Sequence, residues 1–200
     1  SETDKMMAAP DRANKWGAFT LGVADTTPLE MANAYATVAA DGRYCEPLPV
    51  RSITGPDGKP ATYTPDDAHA PVAVAAPRCS QAVSRDAARA AADAARCVTG
   101  YGASRGGCGG WSTGSMAYPM INRPFAGKTG TTDSTRSAWF AGFTPELAGA
   151  SFVADPDDPF NAVGDGFSND PIRAVANTIR DSLAGKPVRD FTPPPASILD

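Results

Sequence analysis

Apolar positions along the chain fall into three helical stripes and a group of short strand-like runs. Thr27-Pro28-Leu29-Glu30 has the form of a capping box, with a threonine N-cap, proline at the first helical position and glutamate three residues after the cap. It predicts a helix from about Pro28 to Ala40 that buries Leu29, Met31, Ala34, Tyr35 and Val38 and stops at Gly42. Ser84 to Val98 is alanine-rich, with Arg85, Asp86, Arg89, Asp93 and Arg96 spread around it. This pattern predicts a solvent-facing helix capped by Ser84, with Asp93 and Arg96 as a surface pair. A third helix opens with Asp170 as N-cap and Pro171 in the first turn. Its buried stripe is Ile172, Val175, Ala176, Ile179 and Leu183, and Gly185 ends it.

Between the second and third helices the period changes to two. Phe125 to Thr131 reads as a strand, Thr132 to Arg136 as a polar turn, and Ser137 to Thr144 as a second strand. In that second strand Ala138, Phe140 and Gly142 fall on one face and Trp139, Ala141 and Phe143 on the other, so both faces are expected to be covered. Pro145-Glu146 turns the chain into a third strand, Leu147 to Val153. Val50 to Thr54 and Ala61 to Thr64 are shorter candidates around the tight-turn sequence Gly55-Pro56-Asp57-Gly58, which predicts an exposed hairpin. The fold class is therefore α+β, an antiparallel sheet flanked by helices, with the last helix packed on one face. Ser1 to Gly17 is polar and without sustained period, and reads as a loop. Residues 1–185 read as one domain and 186–200, with Pro193-Pro194-Pro195, as a linker leaving it.

Two hundred residues suffice to bury a core. The net charge of −4 and scattered lysines and arginines leave no electrostatic footprint for nucleic acid. No apolar run approaches the ~20 residues that a membrane helix needs, so no membrane contact by this segment is expected. Cys45, Cys79, Cys97 and Cys108 show no Cys-x-x-Cys spacing, and the single histidine, His69, lies in a Pro/Ala-rich stretch. A zinc site is disfavoured, and no cofactor or metal is assigned. Two disulfides in an exported domain are expected, Cys97 with Cys108 across the glycine-rich stretch 100–114 and Cys45 with Cys79. Sequence alone permits three connectivities. The glycine-rich stretch lacks the Lys-Ser/Thr of a phosphate-binding loop. The aspartates 155, 157, 158, 165 and 170 lack EF-hand spacing and read as a solvated acidic loop.

Candidate chemistry concentrates on the first long strand. Lys128, Thr129 and Thr131 lie between or beside Gly127 and Gly130, where missing side chains let another backbone approach. A lysine and hydroxyls beside an open strand edge can hold a carboxylate while the strand pairs with a peptide. Lys128-Thr129-Gly130, followed by Thr131, Thr132 and the run SAWFAGFTP, resembles the third active-site motif of penicillin-binding transpeptidases. Leu21 to Tyr44 and Asn177 to Phe191 resemble segments of the bifunctional, class A members, so the likeness covers most of the chain.

The resemblance implies a partial penicillin-binding transpeptidase fold, β-lactamase-like, and an extracytoplasmic protein anchored by a segment outside this chain. It implies that Lys128 tunes the electrostatics of serine acyl transfer. Thr129, Gly130 and Thr131 would hold the terminal carboxylate of a D-alanyl-D-alanine stem peptide or a β-lactam, and the Thr131 N–H would supply half of an oxyanion hole. The family also uses Ser-x-x-Lys and Ser-x-Asn. No serine of this chain has lysine three places on or asparagine two places on. The N-terminal part of the same protein is therefore the expected source of the nucleophile, and this chain alone is expected to be inactive. A DD-carboxypeptidase or β-lactamase, and a non-catalytic disulfide-stapled module that binds cell-wall peptide, are the competing readings.

Overall fold

A computed structural model of the protein describes residues 26–66 and 69–198. The loop expected over Ser1 to Gly17 lies outside them. Helix α1 is Pro28–Ala39, followed by the short strand β1, Arg43–Cys45. Strands β2 (Thr62–Tyr63), β3 (Val72–Ala73) and β4 (Cys79–Gln81) precede helix α2, Arg85–Thr99. A one-turn helix α3, Ala117–Ile121, leads into strands β5 (Ala126–Thr131), β6 (Ser137–Phe143) and β7 (Ala148–Ala154), and helix α4 is Asp170–Ser182.

The capping box forms as drawn: Thr27 N–H donates to Glu30 Oε2 at 2.9 Å and Glu30 N–H to Thr27 Oγ1 at 3.2 Å. The helix it starts fully buries none of the residues assigned to it: Met31, Tyr35 and Val38 are half-buried, Leu29 is 63% exposed and Ala34 is also exposed, and the buried residue is Thr37. At 3.6 residues per turn Leu29 points roughly 200° away from Met31. The inward stripe is Met31, Tyr35 and Val38.

β5, β6 and β7 form one antiparallel sheet in that order, with Lys128 opposite Ala141 and Gly142 opposite Gly149. β6 is the central strand, and alternation sends its residues to two cores. On one side Phe140 packs with Phe125 and with Ile172, Val175, Ala176, Ile179 and Leu183 of α4, the stripe predicted for that helix. On the other, Phe143 meets Tyr35 of α1 at 5.7 Å between ring centroids, together with Ala92 of α2 and Phe191. Phe191, in the stretch expected as a linker, lies edge-on to Phe143 at 5.6 Å and is buried.

Several local expectations are corrected. α2 is not solvent-facing: it packs along β5, with Ala88 and Ala92 buried. Asp93 and Arg96 are likewise not a surface pair. Both are buried, joined at 3.0 Å, and Arg96 also lies over the Tyr101 ring at 4.4 Å. Their alanine neighbours are small enough to let the helix settle onto the sheet and carry the charges with it. Val50 to Thr54 forms one bridge, Thr54 to Pro60, rather than a strand, and the Thr62–Tyr63 strand pairs with Val72–Ala73. The N-cap of α4 is Asn169, without a side-chain bond, and Asp170 is already helical. β1 and β4 were not predicted. Each has three residues, and the Cys45–Cys79 disulfide joins one of their facing positions.

Candidate functional site

β5 has a strand partner on one side only, so its outer edge is free of strand pairing among the described residues. Its position is set at both ends. At the start, the buried Thr99 hydroxyl of α2 donates to the carbonyl of Phe125. At the end, Thr132 closes the turn to β6 through Ser137 N–H to Thr132 Oγ1 at 2.8 Å and Thr132 N–H to the Ser137 carbonyl at 3.1 Å. Within the strand, Gly127 is a packing requirement: a Cβ there would stand 2.6 Å from the Ala141 carbonyl oxygen and 2.8 Å from Phe140 Cζ.

The structure places Lys128, Thr129, Gly130 and Thr131 consecutively on this strand. Lys128, Gly130 and Thr131 are exposed and Thr129 is half-buried. Register puts Lys128 and Gly130 opposite Ala141 and Trp139, and Thr129 and Thr131 opposite Phe140 and Ala138. The lysine and the two threonines thus project from opposite faces. The Lys128 ammonium bends back to donate to the Thr129 carbonyl at 2.7 Å. Among the described residues no carboxylate pairs with it, so its charge is available to an anion.

A residue that sequence reasoning missed joins this strand. Thr113 Oγ1 lies 2.7 Å from Thr129 Oγ1, and either hydroxyl can donate. Thr113 sits where the glycine-rich stretch returns to the sheet. The Ser112 hydroxyl and the Gly114 N–H, the latter at 2.9 Å, both donate to the Val98 carbonyl near the end of α2. The only signal in the sequence is a pair of hydroxyl residues before a glycine, which says nothing about the partner until the fold places it.

The same stretch is held at its start. Gly100 caps α2 at φ +86°, and Cys97 is bonded to Cys108. Ser104 N–H donates to Asp93 Oδ1 at 2.8 Å, and Tyr101 donates to Asp190 Oδ2 at 2.8 Å. Burial, reinforced by the bond to Asp190, pushes the Tyr101 hydroxyl up to about 12. Cys45 is bonded to Cys79, so both disulfides join the pairs named from the sequence. At the far end of α1, Arg89 makes a two-pronged bond to Asp41, with contacts of 3.0 and 2.7 Å. That bond holds the Asp41 carboxyl below its ordinary range.

Of the aspartates after β7, Asp155 and Asp158 accept from nearby backbone N–H groups, and Asp170 pairs with Arg173. Asp155 accepts from the N–H groups of Asp157 and Asp158 and from the Asn161 side chain. Among the described residues no group of acidic, histidine or cysteine side chains is arranged to hold a metal ion. None of their helices is long and apolar enough to cross a membrane.

A three-stranded antiparallel sheet, covered by a C-terminal helix on one face and by α1 and α2 on the other, presents a cation and hydroxyls along a free edge. A free strand edge can pair with an extended chain, and a cation beside hydroxyls can hold a carboxylate. The sequence profile of the family described as "Penicillin binding protein transpeptidase domain" matches residues 7–174. The chain belongs to that family, and its relatives place it with the class A members. Penicillin-binding protein 1A of Neisseria cinerea is 30% identical over 136 residues, 68% of this chain and 15% of that protein. Penicillin-binding protein 1A of Aquifex aeolicus (strain VF5) is 27% identical over 143 residues, 72% of this chain and 17% of that protein. The crystal structure of penicillin-binding protein 1A from Haemophilus influenzae superposes with a TM-score of 0.67 at 27% identity, covering 89% of this chain and 29% of that one. The chain therefore spans less than a third of each of these relatives.

Proposed function

We propose that this chain is the substrate-holding part of a peptidoglycan DD-transpeptidase, a serine acyltransferase that cross-links stem peptides. The observation that carries the reading is Lys128-Thr129-Gly130-Thr131 on a free edge strand inside a domain of the transpeptidase family. The strand edge pairs with the backbone of the stem peptide. Thr129 and Thr131 hold its terminal carboxylate, or that of a β-lactam, and the Lys128 ammonium, which has no carboxylate partner among the described residues, supplies the positive field. The Thr131 N–H stabilises the oxyanion formed when a serine oxygen attacks the peptide carbonyl. The C–N bond to the terminal D-alanine then breaks, the amine leaves with a proton, and an acceptor amine takes the acyl group from the ester.

The serine and the Ser-x-Asn residues belong to polypeptide outside these 200 residues, in the N-terminal part of the same protein. Residues 1–185 are the transpeptidase portion and 186–200 lead out of it, with Phe191 as the anchor. The protein works on the extracytoplasmic side of a bacterial membrane, where its disulfides persist.

The test is intact mass after incubation with a labelled penicillin, on this chain and on the full-length protein. An adduct on the full-length protein alone is the expected result. An adduct on this chain alone would place the nucleophile within it, and no adduct on either would remove the transpeptidase reading. Supplying an amine acceptor then separates cross-linking from hydrolysis by a carboxypeptidase or β-lactamase.

A further inference from the structure

The geometry points to Thr113 as a positioning residue for the carboxylate-binding hydroxyl of Thr129, an inference that rests on the role proposed for Thr129 above. A threonine hydroxyl has one proton to give and two lone pairs to receive. If Thr129 gives its proton to a substrate carboxylate, Thr113, 2.7 Å away, is left as the donor to Thr129 Oγ1. The two hydroxyls then form a chain, Thr113 to Thr129 to carboxylate, in which each bond polarises the next. Without a carboxylate the direction can reverse. The Thr113 hydroxyl thus selects the Thr129 rotor that faces an anion.

The local structure holds Thr113 in place for this. Its neighbours on both sides are bonded to one acceptor, the Val98 carbonyl. Gly114 sets the closeness of approach, because a Cβ there would lie 3.2 Å from the Val98 carbonyl oxygen and 3.5 Å from Thr129 Cγ2. The Cys97–Cys108 disulfide ties the preceding chain to the same helix. Thr113 itself is exposed and carries no packing load that its hydroxyl would explain.

The test uses the full-length protein and compares acylation rates by benzylpenicillin and by its carboxyl methyl ester. For Thr113→Val the expected result is a drop of about three- to tenfold with the free acid, the scale of one neutral hydrogen bond. The rate with the ester should be unchanged, so the acid-to-ester ratio falls by that factor. Thr113→Ala should show the same split, and Thr113→Ser, which keeps the hydroxyl, should restore the wild-type ratio. Equal losses with acid and ester, or no loss with either, would overturn the positioning role. If the wild-type protein were acylated by neither compound, the reading of the whole site would fall, and this role with it.

Discussion

Gly127→Ala and Gly130→Ala make the same chemical change three positions apart on β5, and the structure assigns them opposite consequences for stability. Neither glycine has a positive φ, so alanine meets no backbone strain at either. By restricting the unfolded chain, each substitution gains about 0.4–1 kcal/mol. At Gly130 the nearest atom to a new Cβ is Trp139 Cβ at 3.4 Å, an ordinary contact, so that gain stands. At Gly127 the Cβ meets the Ala141 carbonyl oxygen at 2.6 Å and Phe140 Cζ at 2.8 Å. The first is backbone of the neighbouring strand and the second a fully buried ring, so neither moves cheaply. Overpacking of this kind costs about 1–3 kcal/mol, which against a gain of about 0.4–1 kcal/mol leaves a net loss of up to about 2.6 kcal/mol.

For a unit of this size the loss lowers Tm by up to about 10 °C, whereas Gly130→Ala leaves it unchanged or raises it by up to about 4 °C. Differential scanning calorimetry of the two full-length variants reads the difference directly. Equal transitions would mean that β5 can move away from β6 at Gly127, and the argument that packing fixes the lysine-bearing strand would fail.

Replacing both cysteines of each pair by serine should cost stability in the order of loop length. Closing 11 residues stabilises by about 3 kcal/mol and closing 34 by about 4 kcal/mol in the chain-entropy account, so loss of Cys45–Cys79 should lower the denaturation midpoint further than loss of Cys97–Cys108. The Asp41 carboxyl is held low by its bond to Arg89, so its contribution is present above the unfolded carboxyl value of ~3.9 and is lost as pH falls through the lower folded value. Denaturant midpoints of wild type and Arg89→Leu should therefore differ by a constant amount near neutrality and converge in acid; parallel curves down to the lowest pH would contradict the pairing. The Tyr101 hydroxyl behaves in the opposite sense. Its contribution is full below the unfolded value of ~10 and is lost as pH rises toward the folded value of about 12, so Tyr101→Phe should remove that part of the alkaline loss of stability.

The elements legible in the sequence were those in which one local rule decided the outcome. The capping box at Thr27, the stripe of α4 and the alternation of β6 needed no tertiary information, and the sheet followed from them. α2 was misread because alanine is silent about direction: a helix of small residues packs as well as it is solvated, and only contact with β5 shows which occurs. The burial of Asp93 and Arg96 follows from that contact: Asp93 is bonded to Arg96 and to Ser104 N–H, and Arg96 lies over the Tyr101 ring. Strands of two or three residues, as in β1, β3 and β4, lie below the length at which a period of two can be distinguished, although β2 falls within the candidate Ala61 to Thr64. Lys128 and its neighbours were readable because glycine, lysine and hydroxyls interrupt an apolar strand. Thr113 was not, because what sets it apart is a contact with Thr129, 16 positions on in sequence and reached only after α3 and the turn into β5.

The alternation of β5 constrains what the proposed site can hold. Lys128 and Gly130 project from the α1 and α2 side of the sheet, and Thr129 and Thr131 from the side of α4 and Thr113. A compact anion resting on one face would meet either the ammonium or the hydroxyls. A ligand lying alongside the free edge reaches both, because the Lys128 ammonium already bends over that edge to the Thr129 carbonyl. The bond to that carbonyl is one that an arriving peptide N–H could replace, leaving the ammonium free to turn toward negative charge. An extended chain ending in a carboxylate satisfies the edge, the cation and the hydroxyls together, and it does so only if Gly130 keeps the strand bare where the two backbones meet. The same requirements disfavour a free inorganic anion and a helical peptide, the first because it has no backbone to pair and the second because its N–H groups are already used.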